Sequence, residues 1–340
     1  MFAKYYFKNT LFMGIMVFYS FSFARVDSSL QKGMFFRIDK GTGSPFRFNL
    51  TGSEITFQST LSSSQRDIMK FDVQLFLWGS MDGWSKGMHY GNIYAIFPFG
   101  PGRFNLKIGQ HVVPFGMQAE YDSHGQLFQQ PYALNIGERI DIGISLFGIL
   151  GPIDYFYMIS NGNEPNHPDR DDDKVQTLRL AYLSRQPVGD FKFGISLLRG
   201  ILPNFTSDPF INMAAVPDSF LMKTRLGFDW DIQLPLFTLR GEASVGPNGA
   251  ENPFSDLSDR SIFAGYAEAR LPISYNLELM GMYSRFQPSL SGSESTYEFG
   301  PGLNYTLSDV SAITFQFALL RRFYQSATSD RAVLLLAVKL

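Results

Sequence analysis

The 340-residue chain has no cysteine. That excludes thiol catalysis, disulfides and cysteine-ligated metal centres, and it fits a chain that crosses an oxidising periplasm. Charge is scarce as well: Asp, Glu, Lys and Arg make up 18% of residues, where soluble domains usually carry roughly 25%. The charges nearly cancel, to a formal net −2, so no global basic field points to nucleic acid. The four histidines are His89, His111, His124 and His167, and no two stand at metal-ligand spacing. No glycine loop is built to cradle a phosphate; residues 100–102 and 300–302, both Gly-Pro-Gly, read as turn or kink elements. Beyond the N-terminus, no apolar run approaches the roughly 20 residues of a membrane-crossing helix.

What is present is aromatic. Phe and Tyr number 34 and 16, and 45% of the chain is hydrophobic. The first residues form a targeting segment. Lys4 and Lys8 make a positive start, residues 11–21 are apolar, and Ser22-Phe23-Ala24 puts small residues where a signal peptidase reads them. The expected division is a signal peptide over 1–24, cleaved after Ala24, then a periplasmic lead-in or first strand over 25–44, then a barrel over 45–340. An uncleaved anchor is the competing reading. Removing Lys4 and Lys8 takes the formal charge from −2 to −4.

The rest of the chain alternates. Over residues 139–147, Ile140, Ile142, Ile144 and Leu146 share one side, and Arg139, Asp141, Gly143 and Ser145 share the other. Successive side chains of a strand point to opposite faces, so this segment has one apolar and one wet face. Comparable sets recur almost to Leu340: Phe46/Phe48/Leu50, Ile55/Phe57, Phe71 to Leu77, Phe104 to Ile108, Ile153 to Ile159, Leu178 to Tyr182, Phe191 to Leu197, Met222 to Trp230, Phe237/Leu239, Leu277/Leu279, Tyr297 to Tyr305, Ile313 to Leu319 and Ala332 to Leu340. The stretches 90–97 and 261–271 are apolar but alternate poorly. That makes about 16 strands. In lipid every backbone polar group must be paired internally, so many such strands would have to close into a transmembrane antiparallel barrel.

The connections add independent information. From Asp67 onward they alternate short (98–102, 149–152, 184–189, 232–235, 272–274, 306–309) and long (80–89, 114–138, 161–174, 200–219, 246–260, 286–294, 321–330). Short periplasmic turns and long external loops are the bacterial barrel layout, and with an even strand number both termini are periplasmic. Trp78, Phe97, Phe99, Tyr182, Trp230 and Tyr305 near strand ends are either interfacial girdles or ordinary β-formers. Leu340 departs from the Phe or Trp that commonly ends barrels of this class.

By parity, Arg103, Lys107, His111, Arg139, Arg179, Lys192, Lys223, Arg225 and Arg240 point inward, with Asp141 among fewer acidic groups. A 16-stranded barrel is wide enough to leave an aqueous channel, so these residues are expected to line it, as a basic wall that tunes ion selection or as ordinary wetting charge. Loop 114–138 is the longest connection and follows the fifth strand. It carries Glu120, Asp122, His124 and Glu138 and no Lys or Arg, so as a constriction loop it would face the basic wall with acid. The aspartates Asp169, Asp171, Asp172 and Asp173 lack calcium-loop spacing and read as a solvated loop. No Ser is obviously paired with His111, so no enzyme is expected, and no cofactor.

Leu106-Lys107-Ile108-Gly109-Gln110, running into Val113-Pro114-Phe115-Gly116, resembles the strand-to-loop motif of the phosphate-selective porin O and P family. Arg139, Asp141, Gly143, Leu146, Gly148, Gly151, Tyr155, Asn161 and Gly162 are similar to its pattern of strand, tight Gly turn, strand and Asn-Gly loop start. The match covers about residues 103–162. It implies a 16-stranded, trimeric outer-membrane channel in contact with the lipid bilayer and lipopolysaccharide. It does not carry phosphate selectivity, because that family's constriction is lined with arginines and loop 114–138 has none. The expectation is a porin for small hydrophilic solutes or ions, with anions such as phosphate among them. The alternatives are a scaffold barrel, for example one sheathing a multihaem cytochrome, and an adhesin-like barrel.

Overall fold

The computed structural model describes residues 25–41, 47–63, 67–80, 88–99, 102–117, 128, 132–137, 139–163, 169, 172–204, 219–249, 261–288, 295–308, 312–324 and 327–339. They form β1(Arg25–Gly41), β2(Arg47–Ser62), β3(Asp67–Ser80), β4(Met88–Phe99), β5(Phe104–Val112), β6(Ile140–Leu150), β7(Ile153–Ser160), β8(Val175–Gln186), β9(Gly189–Asn204), β10(Ser219–Gln233), β11(Thr238–Pro247), β12(Ser261–Ser274), β13(Leu277–Gln287), β14(Thr296–Ser308), β15(Ala312–Tyr324) and β16(Ala327–Lys339). Each strand pairs antiparallel with its neighbours in sequence, and β1 pairs with β16, closing the barrel. Closure leaves every strand with a partner on both sides, which is what removes the edge problem of a sheet. Among the described residues no helix is long and apolar enough to cross a membrane.

The count of 16 is right, but the first two strands are not those expected. Phe48 and Leu50 belong to the same strand as Ile55 and Phe57: all lie in β2, whose pairing with β1 continues through a bulge. Within 25–44, the periplasmic lead-in or first strand of the sequence reading, lies the strand β1. The ambiguous stretches 90–97 and 261–271 are β4 and β12. The last connection is a further correction. Residues 321–330 are not a loop; β15 and β16 stay in register from Arg321↔Asp330 to Tyr324↔Ala327. Arg321 Nε and Asp330 Oδ1, 2.6 Å apart, hold that hairpin on its outer face. Polar side chains there mimic a loop in sequence although the ladder continues.

Parity survives in detail. On β6, Ile142, Ile144 and Leu146 are 37%, 54% and 41% exposed, while Asp141 and Ser145 are 1% and 0% exposed. Tyr182, Phe193 and Trp230 occupy one register row across β8, β9 and β10 on the outer face, which fits a girdle at the short-turn end. Trp78's side chain lies outside the described residues. The strand β5 needs glycine at Gly109. Its φ is +129°, and a Cβ there would lie 2.2 Å from the Ile93 carbonyl oxygen of β4. Gly109→Val is therefore expected to abolish the folded barrel, read as loss of the heat-modifiable gel band; a folded band at wild-type yield would contradict the tight β4–β5 approach.

At the short-turn end, β1 outruns β16. Residues 33–41 of β1 pair with β16, whereas among the described residues 25–32 pair only with β2.

Candidate functional site

Strand β5 leaves the wall at Val113, whose amide donates to the Arg139 carbonyl across the base of the loop at 2.8 Å. The chain then turns inward. Phe115, Val113 and Ile136, from the two ends of the loop, pack with Met158, Val175, Leu198 and Leu202 on the inner faces of β7, β8 and β9. Phe115 is 0% exposed. Its ring lies against Gly227 of β10, where a Cβ would come within 2.9 Å of it. Gly116 is next, with φ +67° and the Glu242 carboxylate 2.1 Å from where a Cβ would stand. Only glycine fits both the left-handed backbone and that contact. The Gly116 amide donates to Ser196 Oγ at 3.0 Å, and the Met117 amide to Glu242 Oε2 at 3.1 Å.

The returning arm is clamped by polar groups. A helical turn, Tyr132–Asn135, presents Asn135 to the wall. Asn135 Nδ2 donates to Ser244 Oγ at 2.8 Å. Arg225 of β10 donates to Asn135 Oδ1 at 3.2 Å and to its carbonyl at 3.0 Å. The same guanidinium donates to the carbonyls of Thr224, Gly246 and Pro247 and to the Asn248 side chain. Lys223 Nζ donates to the Pro203 carbonyl at 2.7 Å. Arg225 and Lys223 are both 0% exposed.

The middle of the loop reaches another arc of the wall. Phe128 packs with Met280 and Met282 of β13, Ala318 and Leu320 of β15, and Val333, Leu335 and Ala337 of β16. One connection thus touches β7–β11 at its ends and β13–β16 at Phe128. The described residues of the loop pack against two separate arcs of the inner wall.

This placement redistributes the ten inward residues. His111, Asp141, Arg179, Lys223 and Arg225 do face inward, but all are buried. Two of them hold the loop arm and strand ends, as above. Asp141 accepts from the Gly162 amide at 2.6 Å and from Ile142's amide at 2.8 Å, fixing the start of the loop after β7. Arg179 pairs bidentately with Asp229 of β10, Nη2 to Oδ1 at 2.7 Å and Nε to Oδ2 at 3.1 Å. His111 Nε2 and Ser145 Oγ are 2.6 Å apart, with His111 Nδ1 on the Gly109 carbonyl at 2.9 Å. So a serine is paired with His111, contrary to the expectation from sequence. Both are fully buried, with no access for a substrate.

Water reaches the others. Arg103 is exposed at its turn, and Lys107, Arg139, Lys192 and Arg240 are half-buried. Lys107 Nζ stands 4.5 Å from the Tyr94 ring centroid and 5.2 and 5.3 Å from those of Phe147 and Phe156, which stack on one another. Cation–π attraction steadies such an ammonium without cancelling its charge. Lys192, Asp231, Arg240 and Glu268 are successive register partners on β9 to β12, a row of alternating sign around the inner wall. Lys192 also lies 3.5 Å from Asp154. Glu120, Asp122, His124 and Glu138 lie outside the described residues. Among the described residues no group of three acidic or His side chains could hold a metal ion.

Sequence reasoning missed the apolar dock for Phe128. Its signal is residues 332–338, Ala-Val-Leu-Leu-Leu-Ala-Val, an uninterrupted apolar run. A strand wet on one face alternates; a continuous run marks burial on both.

No family model matches the sequence, and no curated protein matches it. The fold does match solved structures. The anion-selective porin from Comamonas acidovorans superposes with a TM-score of 0.68 at 11% identity, over 93% of this chain and 100% of that one. OmpT of Vibrio cholerae, an outer membrane protein, in its trimer form, gives 0.67 at 5% identity over 93% and 99%. The outer membrane channel DcaP of Acinetobacter baumannii gives 0.63 at 11% identity over 93% and 97%. The chain has the 16-stranded barrel fold that these outer-membrane porins and channels share.

Proposed function

We propose that the protein is an outer-membrane porin that lets small hydrophilic solutes or ions diffuse passively, with loop 114–138 as its constriction. One observation supports the reading: the described residues of the loop pack on two separate arcs of the inner wall, its ends on β7–β9 and Phe128 on β13, β15 and β16. A structural barrel has no need of an internal cross-piece, whereas a channel needs one to set its bore. The water-accessible inner cations Lys107, Arg139, Lys192 and Arg240 favour anions, in line with the anion-selective porin whose fold it shares. Phosphate selectivity is one specific case of this. The chain acts without chemistry of its own, as a homotrimer in contact with the bilayer and lipopolysaccharide; the trimer form of OmpT is the supporting parallel. A scaffold barrel holding a cytochrome is disfavoured, because the loop ends and Phe128 already occupy parts of the inner wall that such a partner would contact.

Planar-bilayer recording tests this. Open, ohmic steps with a reversal potential on the anion side in a KCl gradient are expected. Glu120→Gln with Asp122→Asn should move the reversal potential further toward anions. A folded barrel that never conducts would overturn the channel, and unchanged reversal potentials would remove the acidic loop from selectivity.

A further inference from the structure

The inner wall of a water-filled barrel is polar as a rule, yet two adjoining rows between β3 and β7 depart from it. Lys70 of β3, Ile96 of β4 and Lys107 of β5 are successive register partners. The next row toward the short turns holds Pro98, Asn105, Phe147 and Phe156, on β4 to β7. Phe147 shares the parity of the inward residues Asp141 and Ser145, and Phe156 that of the inward Met158. Ile96, Lys107, Phe147 and Phe156 are all half-buried, so water reaches each of them. The two phenyl rings stack with centroids 5.1 Å apart and planes 15° apart. The Lys107 ammonium stands 5.2 and 5.3 Å from their centroids and 4.5 Å from that of Tyr94. One ammonium is thus fixed beside an apolar, aromatic patch inside the lumen.

The acids of this region are placed around the patch. Asp72 of β3 is 7% exposed and accepts from Gln58 Nε2 at 2.7 Å. Asp67 lies 3.1 Å from Lys70, and Asp154 of β7 lies 3.5 Å from Lys192. Lys107 stands five residues before Val112, where β5 gives way to the long loop, about 17 Å along the strand. The patch therefore lies on the short-turn side of the loop's anchors. A compact, hydrated anion such as phosphate gains nothing from phenyl rings. A flat apolar ring packs against them offset or edge-on, and a carboxylate on the same solute makes a charge-assisted hydrogen bond with the ammonium.

Resting on the porin reading above, we infer that this patch is a solute subsite for aromatic monocarboxylates: Lys107 takes the carboxylate, and Phe147 and Phe156 take the ring. A solute that has passed the loop is held there before it leaves at the short-turn mouth.

Saturation-transfer NMR on the purified full-length protein in neutral detergent tests it, with benzoate as the probe and acetate and benzyl alcohol for comparison. Benzoate should bind the native protein more tightly than either, since acetate lacks the ring and benzyl alcohol the charge. Phe147→Leu with Phe156→Leu should raise the benzoate dissociation constant about fivefold, the worth of one good aromatic contact, and leave that of acetate unchanged. Lys107→Met should bring benzoate down to the level of benzyl alcohol. The heat-modifiable gel band checks that each variant is folded. Benzoate binding unchanged in the double Leu variant would overturn the subsite. So would native protein that binds benzoate no better than acetate or benzyl alcohol, a comparison that needs no variant. The assay needs no current either: a barrel that binds benzoate selectively but never conducts would sink the porin reading and leave the site, whereas ohmic conduction without benzoate preference would sink the site alone.

Discussion

Arg225→Met is expected to raise single-channel conductance and make its open level noisy. The substitution removes every donor that ties Asn135 to β10 and leaves the carbonyls of Asn135, Thr224, Gly246 and Pro247 facing an apolar side chain. Each buried acceptor left without a donor costs about 1–3 kcal/mol. Water can satisfy them only if the arm lifts from the wall, so the cheaper outcome is detachment of the returning arm. Phe115 and the Glu242 contact hold the outgoing arm and Phe128 keeps its own dock, so only the returning arm, left with Ile136 and the Asn135–Ser244 bond, should move, which is why noise accompanies the increase. Arg225→Lys should sit between, because an ammonium cannot reach acceptors on both the arm and β11 at once. Recordings identical to the native protein for Arg225→Met would show that the clamp does not set the bore.

Asp229→Asn is expected to destabilise the barrel by about 3–5 kcal/mol, because it takes the bidentate carboxylate away from the buried Arg179 charge. The carboxylate lies directly over Gly194, where a Cβ would stand 2.4 Å from it, so nothing else on β9 takes its place. Arg179→Met combined with Asp229→Leu should recover most of the loss, since replacing both charges with apolar groups is often neutral or favourable. Urea unfolding in lipid vesicles measures both. A double variant as weak as Asp229→Asn would mean that the pair is needed for more than mutual compensation.

Alternation made the barrel legible in the sequence. The period of two on β6 separates Ile142 and Ile144 from Asp141 and Ser145, and the structure keeps that division. Parity says which wall a side chain faces, not what lies above it. That is why Arg225 reads as pore lining when it clamps a loop and Lys223 when it caps the Pro203 carbonyl: the loop's landing site depends on contacts between distant residues, such as Asn135 and Arg225, ninety apart. The His111–Ser145 pair was hidden for a related reason. In register, His111 faces Asp141 and Ser145 faces Lys107, so the two meet only diagonally. At β15–β16 the error ran the other way, because Arg321 and Asp330 are loop-like residues inside a ladder.

Fifteen of the sixteen strand pairings join neighbours in sequence, and only β1 with β16 does not. Local hairpins cost little chain entropy to close. The seam between Gly33–Gly41 and Arg331–Lys339 must bring together segments about 300 residues apart, and each doubling of loop length adds about 0.6 kcal/mol. The seam is therefore the last part of the molecule to form and the first candidate for a rate-limiting step. Until it forms, both flanking strands expose unpaired backbone. Among the described residues Arg25–Lys32 of β1 pair with β2 and not with β16, so this stretch gains its ladder from a local hairpin and does not wait for the seam.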